Sequence, residues 1–250
     1  MAGFPDNRGT VRYPTALWLP NNFWHLQHVS DGINLSNHKA ATGSGDYKSR
    51  AVHTRLKKSM RLMSLAQGLR YKFGRRRILS LIPRDGICAE IGVWKGDFSQ
   101  EILRRNPKEL HLIDPWLFSP SYPQRYYGGA IARNQHDMDA ILAQVKSRFG
   151  GNPEVKIHRK KSFEAARQFP EFYFDWVYID GDHSYEAVLG DLVAWYPKVK
   201  HKGIIALDDY EWHDEAGQRS VKAALNSFLA QTKVRHAKPI AGQFVIRVEH

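Results

Sequence analysis

Cysteine is almost absent from these 250 residues. Cys88 is the single one, so no internal disulfide can form and nothing requires an oxidising compartment. Long apolar runs are missing too. No stretch reaches the roughly 20 residues that a membrane-spanning helix needs. The N-terminus lacks the basic start and apolar core of a secretory signal, and Trp18, Phe23 and Trp24 are interrupted by Pro20, Asn21 and Asn22. These absences point to a cytoplasmic protein. Acidic residues are scarce in one region only. Residues 1–77 hold 14 Lys and Arg against 3 Asp and Glu, whereas residues 78–250 hold 23 against 22. The net charge of +12 therefore belongs to the first third, and the near-neutral remainder argues against a catalytic part that binds nucleic acid.

What is present divides into three zones. Residues 1–54 carry little periodicity and much Gly, Asn, Pro, Ser and His, with a linker-like stretch over residues 40–46; they read as an irregular extension. Residues 55–77 read as a basic amphipathic helix. Leu56, Met60, Met63 and Ala66 or Gln67 recur at three- and four-residue steps, the stripe continuing to Phe73, among Arg55, Lys57, Lys58, Arg61, Arg70 and Lys72. The commonest fate of such a helix is packing on its own domain with a solvated basic face. A membrane surface, the active site or a partner subunit are the alternatives, and the last leaves a homo-oligomer open. The run Arg75-Arg76-Arg77 is too short to count as a nucleic-acid patch.

From residue 78 to 250 strands alternate with helices. Strands are expected at Ile87–Ile91, Leu110–Asp114, Val155–His158, Phe174–Ile179 and Gly203–Leu207, with two more near 234–238 and 243–248 joined at Ala241-Gly242. This pattern predicts an α/β fold: a doubly wound, mostly parallel, seven-stranded Rossmann-like sheet ending in an antiparallel hairpin.

The chemistry gathers where strands end. Phe174–Ile179 runs into Asp180, Gly181, Asp182 and His183, and Gly203–Leu207 runs into Asp208 and Asp209. In an open parallel sheet ligands bind beyond the carboxyl ends of the strands, so two such endings would aim carboxylates at one crevice. The first strand delivers Glu90 ahead of Gly92 and Gly96. This departs from the G-x-G-x-x-G dinucleotide fingerprint, since an acid at the first glycine position would repel a pyrophosphate. Asp114, ending the second strand, is placed to accept hydrogen bonds from ribose hydroxyls. A nucleoside with a positive centre and no phosphate is S-adenosylmethionine, and a nicotinamide dehydrogenase is disfavoured.

Glu90-x-Gly92-x-x-x-Gly96, Leu112-Ile113-Asp114-Pro115-Trp116, the run from Tyr178 to Glu186 (Y-I-D-G-D-H-S-Y-E) and Leu207-Asp208-Asp209-Tyr210 together resemble class I S-adenosylmethionine-dependent methyltransferases. They are most similar to the group that contains the macrocin and novobiocin-sugar O-methyltransferases, over residues 78–250. The resemblance implies a divalent cation, usually magnesium, on Asp180, Asp208 and Asp209, a set of hard oxygen donors that suits it. It implies S-adenosylmethionine on Glu90, Gly92, Gly96, Asp114 and Ser162, although Lys161 stands where relatives carry an acid. It implies a small hydroxylated acceptor, a sugar or natural product, with His183 or Asp180 as the base. Trp116, Phe118, Tyr122, Tyr126 and Tyr127 could cover the acceptor or pack into the core. A methyltransferase acting on nucleic acid or protein, and a non-catalytic binding protein of the same fold, are the competing readings. Against the former, Asp-Gly-Asp-His replaces the P-P-[YF] motif of amino-group DNA methyltransferases.

Overall fold

A computed structural model describes residues 68–119, 132–213 and 216–250. The extension 1–54, the stripe residues Leu56, Met60 and Met63, and the loop aromatics Tyr122, Tyr126 and Tyr127 lie outside the described residues.

The sheet has seven strands: β1 (Ile87–Ile91), β2 (Glu109–Asp114), β3 (Val155–Arg159), β4 (Phe174–Ile179), β5 (Val199–Leu207), β6 (His236–Ile240) and β7 (Gln243–Arg247). Their spatial order is β3-β2-β1-β4-β5-β7-β6. The first five pair in parallel, and β7 runs antiparallel to both β5 and β6. The order reverses between β1 and β4, which is where such sheets open a ligand crevice. Ala241 and Gly242 join the hairpin with φ of 48° and 90°. Positive φ at both positions gives the twist that lets two strands reverse in two residues. Two expected ranges differ from those observed by more than one residue. β5 starts four residues earlier than Gly203, and β6 starts at His236 rather than near Val234, because pairing to β7 decides where that strand begins.

Both faces of the sheet are covered. Val177 and Ile179 of β4 join one buried cluster with Leu192, Trp195 and Leu225. Trp176 and Tyr178 join the other with Ile102, Leu142 and Phe149. The period-two alternation of β4 thus feeds two cores. The helices that cover it are α2 (Asp97–Leu103), α3 (Gln135–Phe149), α4 (Ser162–Ala166), α5 (Tyr185–Trp195) and α6 (Ser220–Gln231). Side chains of Asn134 and Ser184 accept hydrogen bonds from the backbone amides of Asp137 and Ala187, capping α3 and α5.

Ahead of β1, residues 68–79 form α1, which ends before Pro83, a residue that cannot continue a helix. Its contacts correct the expected stripe. Phe73 is exposed, and the packed face is formed by Tyr71, Gly74, Arg75 and Ile78. A Cβ on Gly74 would lie 2.4 Å from the Ala241 carbonyl oxygen, so the helix backbone rests on the β6–β7 turn.

Beneath α4, His111 stacks on His158 and its Nε2 faces Glu109, which also accepts from Tyr173. Burial lowers the His111 pKa to about 4. The unfolded chain therefore takes up this proton below about pH 6.5 while the fold resists it until about pH 4. A loss of about 3 kcal/mol in unfolding free energy is expected across that window. It should be absent above pH 7 and smaller in His111→Gln, as read by urea unfolding at stepped pH.

Candidate active site

A cavity of about 730 Å³ opens at the carboxyl ends of β1, β2 and β4. Gly92, Asp114, Ser162, Asp180, His183 and Asp191 are among its walls. Three residues with left-handed backbone stand around it: Trp94, Trp116 and Asp209, with φ of 49°, 41° and 51°. Such conformations cost of order 1 kcal/mol or more and gather where a loop must be aimed.

Gly92 is held open by geometry. Its φ is 90°, and a Cβ there would sit 2.1 Å from the Asp180 carbonyl oxygen, so the ends of β1 and β4 touch backbone to backbone. Gly96 serves the fold instead. It precedes α2 with φ of 76°, and a Cβ would meet the Phe149 ring at 2.6 Å; it is not part of the cavity wall.

The two expected cofactor acids differ in placement. Asp114 reaches the cavity and at the same time shapes it. One carboxylate oxygen accepts from the amides of Val93 (3.0 Å) and Trp94 (2.9 Å), the other from the amide of Trp116 (2.6 Å). Burial raises its pKa against those amides. A carboxylate offers about four acceptor sites, so one remains for a ligand. Glu90 does not reach the wall. It is 1% exposed and accepts a hydrogen bond from Ser99 of α2. Burial pushes its carboxyl up to about 8, so near neutrality it is largely a neutral hydrogen-bonding group beneath the turn. The physical reason is register: Glu90 pairs with Leu112 and Tyr178 inside the sheet, before β1 ends.

At the ends of β4 and β5 the expected trio of aspartates splits. Asp180, His183 and Asp209 come together, with one ligand atom from each lying within 4.8 Å of the others. His183 Nε2 lies 3.4 Å from Asp180 and Nδ1 lies 3.5 Å from Asp209. The buried Nε2 has no hydrogen-bond partner. Burial opposes charge on this ring, but the surrounding carboxylates outweigh it and its pKa is raised. Asp208 faces the other way and is 2% exposed. It accepts from Arg75 Nη2 (2.5 Å), from Tyr71 Oη (2.5 Å), from the Gln243 side chain and from the Asp209 amide. Burial works to raise its pKa, yet Arg75 and Tyr71 hold it well below the usual carboxylate range. Arg75 also donates to Asp180 at 2.9 Å and lies over the rings of Tyr71 and Phe98. Burial and the neighbouring Asp208 charge push Asp180 upward.

Sequence reasoning overlooked Arg75, Tyr71, Gln243, Ser99 and Asp191. Arg75 was visible only as one of three arginines in a row, and its distinguishing signal is helical phase with Tyr71, four residues earlier. Trp116 is fully buried and donates from Nε1 to the Trp94 carbonyl oxygen; it belongs to the core, not to a cover.

Residues 89–210 match a family model described as a methyltransferase domain. These residues form a methyltransferase domain. Among solved structures, this methyltransferase is similar to an S-adenosylmethionine-dependent methyltransferase from Methanococcus maripaludis, with 13% identity, 77% of this chain and 91% of that chain covered, and a TM-score of 0.52. It is also similar to the O-methyltransferase NovP, with 20% identity, coverage of 70% and 78%, and a TM-score of 0.49. A spermidine synthase from Thermotoga maritima has 16% identity, coverage of 68% and 54%, and a TM-score of 0.43; the methyltransferase spans about half the length of that synthase. No curated protein matches its sequence. Among the described residues no helix is long and apolar enough to cross a membrane.

Proposed function

We propose that the methyltransferase is a metal-assisted O-methyltransferase of a small hydroxylated acceptor, a sugar or natural product, working in the cytoplasm. The observation that carries this reading is the gathering of Asp180, His183 and Asp209, the first two on the wall of a cavity also lined by Gly92 and Asp114. The Nε2 of His183 is buried and faces Asp180 at 3.4 Å without a well-formed hydrogen bond, which leaves it open to a divalent cation. One nitrogen and two carboxylates also admit manganese or zinc as readily as magnesium. Bound there, a cation lowers the pKa of an acceptor hydroxyl and orients its oxygen. Asp208 stands outside this set, because Arg75, Tyr71 and Gln243 occupy its oxygens.

The ring of His183 has one acceptor nitrogen when neutral, so ligation and proton removal exclude one another. With His183 holding the cation, proton removal would fall to Asp180, which would have to release its hydrogen bond from Arg75 to take the acceptor's hydroxyl proton as that oxygen receives the methyl group. A second reading has its own observation. Arg75 lies 2.9 and 2.5 Å from Asp180 and Asp208, a positive charge already resident between two of the expected ligands. On that reading transfer needs no metal and His183 is the base.

Asp209→Asn is expected to weaken manganese binding at least about tenfold by calorimetry, since one of three protein ligands loses its charge, and to lower methyl transfer to a diol acceptor by about a hundredfold. Turnover that survives chelator in the wild type, with Asp209→Asn unaffected, would favour the metal-free reading.

A further inference from the structure

Between Asp46 and Asp85 the chain has 12 Lys and Arg and no Asp or Glu. The described end of that stretch is α1 and the turn after it, and α1 has two unlike faces. Tyr71, Gly74, Arg75 and Ile78 face the domain, and Arg75 reaches Asp180 and Asp208. On the opposite side Leu69, Phe73 and Arg77 stand four residues apart, with Lys72 and Arg76 in the row beside them. All five are exposed, Leu69 by 60% and Phe73 by 58%. The exposed Leu81 and Arg84 continue the same composition past the helix end. Arg70 is paired with Glu211, but among the described residues Lys72, Arg76 and Arg77 form no ion pair. Surface apolar residues scattered singly need no explanation. Two large ones on one stripe, flanked by unpaired cations, mark a surface that meets a partner.

The chemistry of the stripe selects that partner. A second copy of the same face would cover Leu69 and Phe73 but would set Lys72, Arg76 and Arg77 against their own equivalents. A nucleic-acid backbone would meet the cations but leave a leucine and a phenylalanine against phosphates. An anionic bilayer satisfies both kinds of side chain. Apolar groups enter the boundary between headgroups and acyl chains, and long basic side chains reach the lipid phosphates and carboxylates. We propose that the outer face of α1 docks this protein on an anionic membrane surface, with Leu69 and Phe73 below the headgroups and Lys72, Arg76 and Arg77 among them. This goes beyond methyl transfer and does not depend on it. Because Arg75 lies on the inner face of the same helix, docking holds Asp180 and Asp208 about one helix diameter, roughly 10 Å, from the headgroups.

Co-sedimentation of the full chain with phosphatidylcholine vesicles, with and without about one quarter phosphatidylserine, tests this. The wild type is expected to bind the anionic vesicles at least about tenfold more tightly than the neutral ones, and less tightly as salt rises. Each cation near the surface contributes about fivefold, so Lys72→Gln with Arg76→Gln should weaken binding by about 25-fold. Leu69→Gln with Phe73→Gln should weaken it at least about tenfold with the charge unchanged. All four side chains are exposed, so both double variants should keep the wild-type urea midpoint. Residues 1–67 carry further Lys and Arg, which makes the variants the deciding arm. Wild-type vesicle binding by either double variant would overturn the proposal, as would a wild type that binds neither kind of vesicle. Tighter wild-type binding to a DNA duplex, lost in the charge variant and kept in the apolar one, would make the face a phosphate-backbone site instead. A lipid-free dimer in sedimentation equilibrium that Leu69→Gln with Phe73→Gln dissociates would make a second copy the occupant.

Discussion

Arg75→Met is expected to lower the unfolding free energy by about 3 kcal/mol, because removing one partner of a buried ion pair leaves the other charge uncompensated. Asp208 is almost fully buried, and Arg75 bridges it to Asp180. Methionine keeps most of the apolar stem, so the loss reports the guanidinium, both its ion pairs and its place over the Tyr71 and Phe98 rings, rather than a cavity. The double variant Arg75→Met with Asp208→Asn should recover most of the lost stability, because replacing both members of a buried pair is often close to neutral. Urea unfolding of the four proteins of this cycle measures it. If the single variant is as stable as wild type, the bridge contributes nothing. If a saturating divalent cation restores the single variant alone, a metal can replace Arg75 between Asp180 and Asp208, and Asp208 would regain the ligand role implied by the resemblance.

Gly92→Ala is the second large effect. The three atoms a Cβ would meet are the Asp180 carbonyl oxygen at 2.1 Å, its carbon at 2.5 Å and Gly181 Cα at 2.7 Å. All are backbone, so no side chain can rotate away, and φ of 90° is itself unfavourable for alanine. Either β1 or the end of β4 must move, and β4 carries Asp180 into the site. A loss of about 3 kcal/mol in stability and at least a hundredfold in S-adenosylhomocysteine affinity is expected, since both β1 and the acid-bearing loop line the same cavity. Gly190→Ala is the matched control. A Cβ there meets nothing within 4 Å, and its place within α5 predicts a gain of up to about 1 kcal/mol. If both variants behave alike, the close approach of β1 and β4 does not constrain the site.

Much of this was legible in the residues. β4 was visible because Phe174–Ile179 is aromatic and β-branched apart from Asp175, as suits a strand buried on both faces. The hairpin was visible because Ala241-Gly242 leaves room for only a two-residue turn. Gly92, Asp114, Ser162, Asp180 and His183 all reach the cavity, since strand ends in a parallel sheet share one edge. The placement of Glu90 was not legible. Its chemistry suits a ligand, but its register in β1 puts it inside the sheet against Ser99, and pairing partners are not encoded by local composition.

The sequence by itself determined the alternation of strands and helices, the acids that close β2, β4 and β5, and the glycine at the end of β1. Each of these follows from short-range pattern: hydrophobic period, turn chemistry and the abrupt change from apolar to acidic. Only the tertiary structure decided which acids act together. Asp208 and Asp209 are neighbours in the chain, yet a left-handed backbone at Asp209 sends one carboxylate to Arg75 and the other to His183. Arg75, more than 100 residues earlier, takes its part because packing brings α1 to the same strand ends. Charge pairing of that kind depends on distance in space, which no spacing along the chain records.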